Sequence, residues 1–159
     1  MKQGSIIFLK IVIVFIVIVA LGGMIRFPLT EGRAVNLDLF SIYWDPFIVY
    51  MYIASIPFFV GLYQAFKLLG YIGQNKVFSL SSAKALRTIK YCAIMQSILI
   101  VMAILYIRTS HNVDDDPAGF IAIGILATFI SVVIATAASV FERILQNAAN
   151  IKSENNLTA

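Results

Sequence analysis

The sequence predicts an all-α integral membrane protein: four transmembrane helices in an antiparallel bundle, with both termini cytoplasmic. Three observations carry that prediction. Of 159 residues, 60% are hydrophobic and only 13% charged, against about 45–50% and roughly 25% in an average soluble domain. Four segments hold the run of about 20 mostly apolar residues that crosses a hydrocarbon layer. Lysine and arginine gather on one side of those segments and acids on the other. The same hydrophobicity excludes intrinsic disorder. One cysteine, Cys92, excludes an intrachain disulfide and a cysteine-rich zinc site, and one histidine, His111, leaves little for a His-based metal centre.

The first span runs from about Ile6 to Ile25 through Ile11-Val12-Ile13-Val14-Phe15-Ile16-Val17-Ile18-Val19. Such a β-branched run favours a strand in water. In lipid a lone strand leaves its backbone unpaired, so the segment must be a helix. It is too long for a signal-peptide core, and no convincing small-x-small cleavage site follows it, so it is expected to be a true span. The second span runs from about Pro46 to Leu69, the third from Tyr91 to Ile107 and the fourth from Ala118 to Phe141. Asp45-Pro46 and Asp116-Pro117 mark the starts of spans two and four. Aspartate caps the first free N–H groups, and proline fits the first helical position, where no N–H is needed. A basic loop, 70–90, joins spans two and three, and a polar tail, 142–159, follows span four.

Orientation follows from the cations. One side holds Lys2, Lys10, Lys67, Lys76, Lys84, Arg87, Lys90, Arg143 and Lys152; the other holds only Arg26, Arg33 and Arg108, beside Glu31, Asp38, Asp45 and Asp114-Asp115-Asp116. The positive side is expected in the cytoplasm. Four spans then bring both termini there.

Within the basic loop, Ser79, Ser81 or Ser82 is a helix-start residue. From Ala83 onward the residues favour helix and lead into span three. Lys84, Arg87, Thr88 and Tyr91 follow three- and four-residue spacing and share one face. The bland reading is topogenic charge, with lysines reaching lipid phosphates. The sharper reading is a docking surface for a cytoplasmic partner, built on Phe78, Lys84, Arg87 and Lys90. Direct nucleic-acid binding is not expected, because the stripe is short, lies against an anionic bilayer and carries no reading motif.

Polar residues inside a membrane are functional candidates. Here they are Lys10, Gln64 and Gln96, all expected in the cytoplasmic leaflet, where they could share one hydrogen-bonded cluster or merely tie neighbouring helices. No Asp or Glu lies in the middle of any span, which weakens a proton-coupled carrier. Ala127, Ser131, Ala135 and Ser139 recur every four residues in span four, a helix-packing seam within the bundle or between copies of a homo-oligomer. Pro57 should kink span two. Tyr43 and Trp44 suit an interfacial aromatic belt, although Phe40 and Tyr43 could line a cleft. The three consecutive acids do not match a calcium loop, and His111 beside them is the only pH-responsive imidazole. Cys92 reads as a packing residue at the membrane edge. No nucleophile elbow, phosphate-cradling loop or HExxH occurs. Neither catalysis, nor a metal, nor a cofactor is expected.

Tyr63-Gln64-Ala65-Phe66-Lys67-Leu68-Leu69, Asn75-Lys76-Val77-Phe78-Ser79, Ala85-Leu86-Arg87-Thr88-Ile89-Lys90-Tyr91-Cys92-Ala93 and Ile151-Lys152-Ser153-Glu154-Asn155-Asn156-Leu157-Thr158 resemble a bacterial family of small membrane proteins, domain of unknown function 2975. The likeness runs from Gly4-Ser5 to the tail. It implies four spans and carries no functional residues to transfer. It also implies a gene neighbourhood with a small helix-turn-helix regulator of the Cro/C1 type. The resulting expectation is a plasma-membrane sensor that sequesters such a regulator through the basic loop and tail, and releases it when a ligand or bilayer stress alters the bundle. The alternatives are a small transporter, channel or export component, and an immunity-type protein against a membrane-active peptide.

Overall fold

The computed structural model describes residues 2–30, 38–110 and 117–158. Five helices account for nearly all of them: α1 (Lys2–Thr30), α2 (Leu39–Tyr43), α3 (Pro46–Gly73), α4 (Leu80–Ser110) and α5 (Ala118–Thr158). No strand occurs among the described residues. α1, α3, α4 and α5 are each long and apolar enough to cross a membrane, so the four expected spans are present.

Local chemistry sets the helix starts. Asp45 Oδ1 accepts a hydrogen bond from the Phe47 amide at 2.8 Å, and Pro46 takes the first turn of α3, as its sequence requires. Pro57 lies inside α3 without ending it. After Gly73 the chain reverses through Asn75, whose φ of 56° is the left-handed conformation that asparagine tolerates. Ser79 then caps α4, its Oγ accepting from the Ser82 amide at 3.2 Å. Ser82 is fully buried and donates to the Lys76 carbonyl at 2.9 Å, which fastens the turn to the helix it precedes.

Two boundaries differ from the sequence expectation. α3 continues to Gly73 and α4 begins at Leu80, three residues before the helix expected from Ala83 onward, so only 74–79 of the basic loop is non-helical; the polar tail after Phe141 continues α5 to Thr158. Hydropathy marks where a helix leaves lipid, not where it stops. Neither 80–110 nor 125–158 contains a Gly or Pro to break it. α5 has 41 residues, a length of about 60 Å, roughly twice the hydrocarbon thickness.

The spanning helices pair antiparallel in chain order. Tyr52 of α3 donates to the Met24 carbonyl of α1, while Gly73 faces Ile6. Tyr50 donates to the Leu99 carbonyl of α4, while Gly61 faces Cys92. Gly124 of α5 faces Ile104, while Glu142 meets Arg87 and Lys90. Contact is most extensive between α4 and α5, then α3 and α4, then α1 and α3. The exposed area, 11260 Å², exceeds the roughly 7,900 Å² of a globular protein of this mass. The excess is the apolar outer surface, which includes Phe8, Phe15 and Phe129.

The small-residue seam lies on the α4-facing side of α5. Ala135 is buried, Ala127, Ser131 and Ser139 are half-buried, and Gly124 and Ala138 extend the stripe. At Gly124 a Cβ would come 2.8 Å from Ile104 Cδ1, so the helices approach closely only because that side chain is absent. Gly124→Leu is expected to cost about 1–3 kcal/mol by overpacking. Thermal unfolding in micelles measures it, and adding Ile104→Ala should recover most of the loss.

The main buried cluster sits at the basic end. Ala83 and Leu86 of α4 pack with Ala138 and Leu145 of α5, flanked by Leu68, Val77 and Ile89.

Candidate functional site

The charged residues of the basic end converge on one carboxylate. Arg87 and Lys90 lie one turn apart on α4. Glu142 sits on the stripe of α5 that continues Ala135, Ala138 and Leu145. Arg87 Nε donates to Glu142 Oε1 at 2.7 Å, and Lys90 Nζ donates to Oε2 at 2.7 Å. The Gln146 amide, one turn on, reaches Oε1 at 3.4 Å. The Glu142 side chain is 6% exposed, Lys90 20% and Arg87 51%. A carboxylate this enclosed needs both cations, because removing a charge from water is costly unless it is paired and hydrogen-bonded. The bonds are charge-assisted and short. They join helices whose residues here are more than fifty positions apart in sequence.

The docking face proposed from sequence is therefore divided. Arg87 and Lys90 are engaged by Glu142. Lys84 and Phe78 are exposed, and Thr88 bonds back to the Lys84 carbonyl at 3.1 Å. Lys76, Leu80, Ile151 and Leu157 are exposed nearby in sequence or at the end of α5. Sequence reasoning missed Glu142. Its signal was its place three or four residues from Ala138 and Leu145, a buried periodicity that a solvated tail has no reason to keep.

The three intramembrane polar residues do not form one cluster. Lys10 Nζ lies over the Phe66 ring, 5.0 Å from its centroid, against α3 near Gly70. Gln64 is half-buried on α3. The register that sets Gly61 beside Cys92 places Gln64 level with Ile89, about 10 Å along α4 from Gln96. Gln96 lies near the middle of α4, which begins at Leu80, and so only a short way into the span expected from Tyr91.

At the opposite end, Phe40 and Trp44 stack at 5.8 Å and are largely exposed, an arrangement suited to a bilayer interface. Tyr43 donates to the Ile25 carbonyl at 3.0 Å and ties α2 to α1. Glu31, Arg33, His111 and Asp114-Asp115-Asp116 lie outside the described residues. Among the described residues, no three His, Cys, Asp or Glu side chains gather to hold a metal.

Residues 28–159 match the family described as "Protein of unknown function (DUF2975)". The uncharacterized membrane protein YoaS of Bacillus subtilis (strain 168) is 43% identical over 161 residues, covering 99% of each chain. No solved structure matches the chain.

Proposed function

The chain belongs to the DUF2975 family and is a multi-pass membrane protein, and from that premise we propose that it sequesters a cytoplasmic helix-turn-helix regulator at the bacterial plasma membrane. Nine of the twelve cations lie at the basic end, which the positive-inside rule directs to the cytoplasm. The observation that carries the reading is the packed unit there. The first turns of α4 and residues 138–145 of α5 share the buried cluster and the Glu142 ion network. That unit displays Lys76, Lys84, Phe78 and Leu80, apolar anchors with a basic rim. An acidic surface with an apolar groove complements it. The Glu142 network couples this surface to the spans, because sliding α4 against α5 must break both cation contacts together.

The regulator should co-purify with the full chain in mild detergent. Lys76→Glu/Lys84→Glu, and separately truncation after Asn150, should each lower its recovery, the charge reversal by about tenfold or more. These positions leave Glu142 and its partners intact. Unchanged recovery with both variants, or no regulator with the wild type, overturns the reading in favour of transport or peptide immunity.

A further inference from the structure

A cleft of about 310 Å³ opens among α1, α3, α4 and α5, toward the acidic end of the molecule. Met24, Phe58, Leu99, Ile123 and Ala127 give it an apolar wall, and among the described residues no charged side chain lines it. Two polar side chains in the wall are already engaged. Tyr50 donates to the Leu99 carbonyl at 2.6 Å, and Ser55 donates to the Tyr52 carbonyl at 2.7 Å. Other hydroxyls of α4 and α5 bond their own helix, as Ser97, Thr128 and Ser131 do.

Gln96 is the exception. It lines the cleft, and its Oε1 is buried without a hydrogen-bond partner among the described residues. A buried amide carbonyl left unpaired carries a full desolvation penalty, and at membrane depth no bulk water offsets it. The last torsion of a glutamine side chain is soft, so a small turn of the amide presents Oε1 to the cleft that Gln96 lines, where a donor from outside the chain can pair it.

We propose that the cleft binds an aliphatic alcohol, with the hydroxyl donating to Gln96 Oε1 and the chain lying along the apolar wall. The uncharged lining disfavours a carboxylate or a phosphate. The volume, at the low end of ligand pockets, fits one chain and not a two-chain lipid. This site stands independently of regulator docking.

The test uses the full chain in phosphatidylcholine nanodiscs and a dodecanol carrying a mid-chain diazirine. Labelling of Phe58, Leu99 and Ile123 is compared with labelling of the exposed Ile11 and Ile18 on α1, which reports simple partitioning. Cleft labelling should exceed α1 labelling several-fold and be displaced by plain dodecanol but not by dodecyl methyl ether, which cannot donate. Gln96→Leu should lower the ratio by about fivefold or more while raising the unfolding temperature of the ligand-free protein, since it removes the unpaired group. Ala127→Phe, which fills the cleft and keeps Gln96, should also abolish cleft labelling. Equal displacement by the ether, a ratio unchanged in Gln96→Leu, or labelling no higher than on α1 overturns the proposal.

Discussion

Glu142→Ala is expected to be the most damaging single substitution at the basic end, on the order of 3 kcal/mol. The loss comes chiefly from Lys90, whose side chain is only 20% exposed and would keep its charge with only the Tyr91 ring beside it. Arg87, half exposed, can turn toward water and so limits the damage. Unfolding in micelles measures the loss. Trypsin provides a second reading, since cleavage after Arg87, Lys90 and Arg143 should accelerate once α4 and α5 separate. Lys90→Met/Glu142→Met should be close to wild type, because a packed apolar pair replaces a paired charge with little net cost. Full stability in Glu142→Ala would mean that the network is not needed to hold the helices together.

Leu145→Ala is expected to cost about 2–5 kcal/mol. Leu145 is 7% exposed and belongs to the cluster with Ala83, Leu86 and Ala138, so shortening it leaves a cavity that its small neighbours cannot fill. The informative control is Val133→Ala, on the same helix but 50% exposed on the outer surface. Lipid tails are as apolar as the side chain they would replace, so this change should cost under about 0.5 kcal/mol. Equal losses at the two positions would refute a core concentrated at the basic end.

The contrast between those two residues shows what the sequence could and could not reveal. Four apolar segments were legible because the bilayer demands length and hydrophobicity whatever the neighbours are. Asp45-Pro46 was legible as a helix start, and Ser79 as one of three serine candidates, because capping is local chemistry. The extent of α5 beyond lipid was not, since hydropathy falls where the helix meets water while backbone hydrogen bonding continues. Glu142 read as one more tail charge because its partners lie 52 and 55 residues away. Arg87 and Lys90 read as a free basic face for the same reason. Gln64 and Gln96 were grouped by their places near the ends of two predicted spans, and only the register between helices separates them. The seam from Ala127 to Ser139 was visible as spacing, but α4 had to be in place to show what it faces.

The length of α5 has a mechanical consequence. Residues 142–158 continue the spanning helix without a break, forming an arm of about 25 Å. Transmembrane helices adopt tilts across a range of roughly 0–40°, set partly by the thickness of the surrounding bilayer. A tilt change of about 10° within that range swings the tip of such an arm sideways by about 4 Å. The last turns of α5 thus convert a small change in membrane thickness into a lever stroke of about the width of an atomic contact.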